Sequence, residues 1–116
     1  MNRQQVGSRG ETIARRFLQR RGFRVIDRNW RTRSGEIDLV CRDRDTLVFV
    51  EVKARSGERF GQPYEAVGPQ KQARLRRLAE EYIAGHALGD CPVRFDVLSV
   101  RFDSEPGTVE HIKGAF

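Results

Sequence analysis

Apolar positions along this chain follow two periods. Between Gln4 and Arg21 the residues Val6, Ile13, Ala14, Phe17 and Leu18 recur at helical spacing, and Gly22 stands where such a helix ends. Phe23 to Arg31 has strand character, Thr32 to Gly35 reads as a turn, and Glu36 to Cys41 alternates with the two-residue period of a strand. A second turn, Arg42 to Asp45, leads into Leu47 to Ser56, a strand whose first half is apolar on both faces. The polar, glycine-containing segment 56–63 follows, long enough to cover something rather than merely connect. Gly68 and Pro69 then mark a helix start, and Leu75, Leu78, Ala79, Tyr82 and Ile83 form one face of that helix. Val93 to Phe102 predicts a fourth strand and Gly107 to Ile112 a fifth.

The predicted order is αβββαββ. It implies an α/β fold with an antiparallel opening and a right-handed helical crossover from the third strand to the fourth. With no repeat, low-complexity run or linker, residues 1–116 are expected to form a single domain.

The strand from Leu47 raises a chemical question, because Glu51 and Lys53 share a face with Leu47 and Phe49. A tight hairpin centred between Arg44 and Asp45 sets Asp38 opposite Glu51, with Cβ atoms roughly 5 Å apart. Arg-Asp is not a favoured two-residue turn, and a slip of one residue moves Asp38 to the other face. Two carboxylates so placed repel unless a cation lies between them. Magnesium suits such a pair, with manganese as a substitute, since it takes carboxylate oxygens and completes its shell with water and phosphate. Asp38 and Glu51 as metal ligands, with Lys53 orienting water or stabilising charge on phosphate, compose a phosphodiester-cleaving set. Glu11, at the border of the first helix's apolar stripe, can offer a third carboxylate. Lys71, one turn before Leu75, is expected to point inward near a helix N-terminus that favours phosphate.

Charge supports a polyanionic partner. Twenty-two Lys and Arg against sixteen Asp and Glu leave a formal charge of +6, and the isoelectric point is near 10.1. Nucleic acid is the first candidate, ahead of an anionic membrane surface. Arg55, Arg74 and Lys71 are the residues expected to contact it. No run approaches the roughly 18 apolar residues of a membrane span, and the opening residues lack a signal peptide's apolar centre, so the cytoplasm is the expected compartment and no membrane partner is expected. Cys41 and Cys91 lack metal-site or disulfide spacing; Cys41 continues the alternation of Ile37 and Leu39 and reads as a buried thiol.

Gly35 to Asp38 ("GEID") followed by Glu51 to Lys53 ("EVK") resembles the bipartite signature of the PD-(D/E)XK nucleases, with Ile37 in place of the motif's proline. Glu11 matches the helix carboxylate of archaeal Holliday junction resolvases in that superfamily. More narrowly, "GSRGETIARRFLQRRGF", "NWRTRSGEIDLV", "LVFVEVKARS", "RFGQPYEAV" and "HIKGAF" resemble the YraN-like family of predicted endonucleases, nearly end to end. The resemblance implies a restriction-endonuclease-like core, a central mixed β-sheet flanked by α-helices, and metal-dependent cleavage of DNA by Glu11, Asp38, Glu51 and Lys53. Junctions have two-fold symmetry, which leads by analogy to the expectation of a homodimer.

Plainer roles exist for each residue. Glu51 and Lys53 can be a salt bridge at a strand end, Asp38 a hairpin charge, and Glu11 a solvated helix residue. Arg15, Arg16, Arg20 and Arg21, like Arg74, Arg76 and Arg77, can be solvated faces. Trp30 reads as core rather than as a base-stacking platform, His86 as a cation at a helix C-terminus, and His111 as a strand residue with no evident partner. A binding or scaffold module with a nuclease-like fold and no turnover is the alternative function, and an RNA-directed nuclease a weaker one.

Overall fold

The first helix begins one residue earlier than its apolar period. Asn2 accepts the Gln5 N–H at 2.8 Å and its own N–H donates to Gln5 Oε1 at 2.9 Å, a reciprocal cap that starts the helix at Arg3. This computed structural model describes residues 2–55, 67–102 and 107–116. Segment 56–63, predicted to be a covering loop, lies outside them.

The elements are α1 (Arg3–Arg20), β1 (Arg24–Thr32), β2 (Gly35–Asp43), β3 (Thr46–Arg55), α2 (Pro69–Gly85), β4 (Val93–Arg101) and β5 (Thr108–Ile112). They form one five-stranded sheet in chain order. Only β3 and β4 pair in parallel, and α2 is the connection between them. This is the expected αβββαββ order and α/β class, a mixed central sheet flanked by helices.

Each helix covers one face. α1 buries Val6, Gly10, Ala14 and Leu18, a stripe with a four-residue step, and packs with Leu39, Cys41, Val48, Val50, Leu98 and Val100. α2 buries Leu75, Leu78, Ala79 and Tyr82 against Ile37, Val40, Leu47, Phe49, Phe95 and Val97. Both faces of β3 are therefore covered, which is why its first half is apolar throughout. Trp30 meets the Tyr82 ring edge-on at 5.2 Å and belongs to the α2 side, as its core reading requires. Cys41 is a fully buried free thiol, pushed up to about 12 by burial first and by Asp96 second.

His111 differs from its sequence reading, for it does have a partner. Its Nε2 lies 2.8 Å from Asp96 Oδ2, between the rings of Phe17 and Phe23. Asp96 is 1% exposed and also accepts two bonds from the Arg94 guanidinium and one from the Gly114 N–H. Burial pushes the Asp96 carboxyl up, but these bonds outweigh it and hold the group below its ordinary value. The network ties the last turn of chain to the middle of β4, aided by Ala115 N–H donating to the Phe95 carbonyl and by Phe116 stacking on Phe95. Several arginines are likewise tied to rings: Arg21 lies over Phe17, and Arg76 over Phe95 and Phe116.

α1 crosses β3 where Gly10 meets Ala54. A methyl group added at Gly10 would collide with the Ala54 Cβ, so the absence of a side chain sets how closely the helix approaches the strand. Gly10→Ala should consequently destabilise the protein by about 1–3 kcal/mol in urea titrations, although alanine is the better helix former by ~1 kcal/mol. A stabilising effect would show that the crossing is not tight.

Candidate active site

The hairpin joining β2 and β3 has the register expected from the sequence. Asp43 pairs with Thr46, and the ladder continues through Cys41–Val48 to Leu39–Val50, closed by a turn in which Arg44 takes a left-handed conformation (φ 59°). There the two strands part. β2 goes on pairing with β1 as far as Thr32–Gly35, while β3 goes on pairing with β4 as far as Arg55–Arg101. Asp38 and Glu51 are the next residues on either side of this fork, so they do not form the expected ladder pair. Instead Asp38 Oδ2 accepts the Val52 N–H at 2.8 Å, a carboxylate bridging the gap that backbone bonds leave open.

The alternation of β2 also breaks here. Leu39 and Cys41 face α1, but Ile37 packs on the α2 side, contrary to the continuous alternation assigned from sequence. The partner strand is irregular at the same level. Asn29, between Arg28–Leu39 and Trp30–Ile37 in the β1–β2 register, has φ 51°. A left-handed residue reverses the local pleat, so side chains on either side of it no longer follow the two-residue period.

Two lysines face the fork. Lys71 Nζ lies 2.6 Å from Glu51 Oε1, and Lys53 Nζ lies 3.6 Å from the same oxygen. Lys71 thus points inward from the first turn of α2, as its helical position predicts. Among the described residues Asp38 has no equally close cation. Burial first, and the Glu51 charge second, push its carboxyl up to about 7 against the pull of the Val52 N–H. Lys53 is lowered by burial and by its neighbour Lys71, with Glu51 opposing; Lys71 is raised although burial is the largest single influence and pulls it down, because the bonds to Glu51 and Lys53 and the charges of Glu51 and Asp38 together outweigh it.

The remaining predicted residues lie around this centre. Glu11 is on α1, one residue beyond the Gly10 crossing, and its Oε1 accepts from Asn29 Nδ2 at 2.8 Å. Its charge is felt at Asp38. Among the described residues no three Asp, Glu, His or Cys side chains converge tightly enough for a metal ion, so Glu11 does not complete a ready-made cage. Arg74 is exposed on α2 with its stem near Gly35, whose φ of 143° is one that L side chains rarely adopt. Arg55 is exposed at the end of β3. The sequence reading missed Asn29; its only signal was an asparagine, a residue that tolerates left-handed backbone, within a strand.

With both lysines drawn to Glu51 and Asp38 beside it, the pair of carboxylates suits a small, oxygen-seeking cation. Asp38 and Glu51 would hold magnesium or manganese with the remaining positions left to water and phosphate, the usual arrangement for magnesium.

Residues 10–100 match the model of a family described as "Uncharacterised protein family UPF0102". The chain belongs to the UPF0102 family. It is 52% identical over 112 residues to a UPF0102 protein of Frankia casuarinae, covering 96% of this chain and 95% of that one. A UPF0102 protein of Anaeromyxobacter dehalogenans is 50% identical over 115 residues, 98% of this chain and 85% of its own. One from Alkaliphilus oremlandii is 42% identical over 113 residues, 96% and 97% respectively. The YraN-like family that the motifs resemble is the UPF0102 family. No helix among the described residues of this UPF0102 protein is long and apolar enough to cross a membrane.

The raised Asp38 carboxyl has a consequence for stability. In the folded chain it keeps its proton up to about pH 7, whereas unfolded it loses it near the ordinary value of 3.8. The folded state therefore binds more protons between these values, and stability falls as pH rises through them. Asp38→Asn keeps an acceptor for Val52 without the charge. In chelator it should stabilise the protein by about 1–3 kcal/mol more at pH 8 than at pH 4, read from urea titrations at the two pH values. An equal effect at both would place Asp38 in a far more solvated setting.

Proposed function

We propose that this chain is a metal-dependent endonuclease hydrolysing DNA phosphodiester bonds, with branched DNA such as four-way junctions as the preferred substrate. The observation that carries the reading is the fork itself: a bonding pattern that gives up ladder pairs and gathers Asp38, Glu51, Lys53 and Lys71 at one spot is expensive unless the spot is used. Magnesium, or manganese in its place, would supply Lewis-acid polarisation of phosphate and a more acidic water. Asp38 and Glu51 would hold that ion. Lys53, with its proton affinity lowered, is suited to orient water and to stabilise charge on phosphate oxygens. Lys71 stays charged and is the better phosphate clamp. Arg55 and Arg74, with Lys71, line the approach for a polyanion that the net charge of +6 favours. The same reading expects it to work in the cytoplasm and, by analogy with the two-fold symmetry of a junction, as a homodimer.

The 2.6 Å Lys71–Glu51 ion pair favours a second reading. With Glu51 already neutralised, the chain serves as a nucleic-acid binding or scaffold module that keeps this fold without turnover.

Labelled single-stranded, duplex, flap and four-way-junction DNA, incubated with magnesium, manganese or chelator, separates the two. The nuclease reading expects metal-dependent cleavage that falls by about 10²-fold or more in Asp38→Asn, Glu51→Gln and Lys53→Ala. Salt-sensitive binding with no cleavage of any substrate, unchanged in the three variants, favours the module.

A further inference from the structure

Asn29 is the one non-glycine residue inside a strand with a positive φ among the described residues; Arg44 sits in a hairpin turn and Ala87 follows α2. Left-handed backbone within a strand is unfavourable, and glycine would adopt it at less cost. What asparagine adds is a side-chain amide, and here that amide donates to Glu11 at 2.8 Å. The residue also stands opposite Asp38 in the interrupted β1–β2 register. Its position thus touches both α1 and the strand that carries Asp38.

Glu11 has its own reason to be nearby. The close crossing at Gly10 and Ala54 brings the next residue of α1 over the end of β3. A glutamate side chain has several rotatable bonds, however, and nothing in that crossing fixes where its carboxylate points. The Asn29 amide does so through Oε1, leaving Oε2 of the same carboxylate without a hydrogen bond among the described residues.

We propose that Asn29 is a positioning residue that holds Glu11 beside the Asp38–Glu51 fork, where Glu11 reaches a hydrated divalent cation through its water shell. The inference rests on the metal-binding reading of the fork and assigns Glu11 an outer place, consistent with its separation from a ready-made cage. It also gives the left-handed residue a use: Trp30 and Ile37 at this level pack on the α2 side, while the Asn29 amide meets Glu11 of α1.

Asn29→Gly tests it, because glycine keeps the left-handed backbone and removes only the amide. Manganese affinity is measured by calorimetry for wild type, Asn29→Gly, Glu11→Gln and the double variant, with thermal midpoints alongside. The proposal expects each single variant to bind about 10- to 100-fold more weakly, as loss of outer partners of metal ligands does. The double variant should be no weaker than the poorer single, at unchanged thermal midpoint. Wild-type affinity in Asn29→Gly, or additive losses in the double variant, overturns it.

The side-chain amide resonances of Asn29 give a readout that does not depend on metal. Glu11→Ala should shift them if the amide holds Glu11, and unchanged resonances overturn the proposal whatever the calorimetry shows. If wild type binds no manganese, the metal reading of the fork fails and the proposal with it; shifted amide resonances would then keep only the Asn29–Glu11 bond.

Discussion

Repulsion between two carboxylates is the constraint around which this protein's site is arranged. Asp38 and Glu51 lie on neighbouring strands at the point where those strands stop pairing, and the sheet offers only partial relief. Asp38 takes the Val52 N–H and Glu51 takes Lys71. The remaining tension shows in Asp38, whose carboxyl is forced up to about 7 by burial and by its neighbour. Groups that serve stability alone are not normally kept in such a state, since a buried, unrelieved charge is costly.

The rest of the fold gives that tension a fixed address. α2 begins at Gly68 and Pro69 so that Lys71 falls within its first turn and reaches Glu51. α1 passes so close to β3 at Gly10 that Glu11 lies over the same region. At the other edge of the sheet, the Asp96–His111–Arg94 network fastens β5 and the last residues to β4. That network supplies its carboxylate with bonds from Arg94, His111 and the Gly114 N–H. Two acidic centres in one small protein, one buried at Asp96 and one half-buried at Asp38, therefore have opposite characters: Asp96 is held below its ordinary range by its partners, while Asp38 is held above it.

Much of this was legible in the residues. Helical periods placed α1 and α2 to within a residue or so, and alternation placed the strands because β3 is covered on both sides while β2 is anchored by its hairpin. The Arg44–Asp45 turn fixed the β2–β3 register even though arginine is a poor left-handed residue. Glu51, Lys53 and Lys71 fall together as their spacing implied. Other features depended on departures from regularity, which patterns cannot announce. A single left-handed asparagine interrupts β1 at the level where Ile37 of β2 turns to the α2 side. The ladder's end at Leu39–Val50 replaces the Asp38–Glu51 pair with a side-chain bond. His111 finds Asp96 only because β5 returns beside β4, a partnership between distant residues that no local spacing encodes.

The central claim is that the fork is a site for a divalent cation, and metal-linked stability tests it most directly. Thermal unfolding of the wild-type protein would be followed in chelator and in millimolar manganese, beside the Asp38→Asn, Glu51→Gln double variant. A ligand that binds only the folded state near 100 times its Kd adds about 2.7 kcal/mol, enough to raise the midpoint by several degrees in a chain of this size. The account predicts that rise in the wild type and its loss in the double variant. The same midpoint with and without manganese in the wild type, or an equal rise in both proteins, would contradict it.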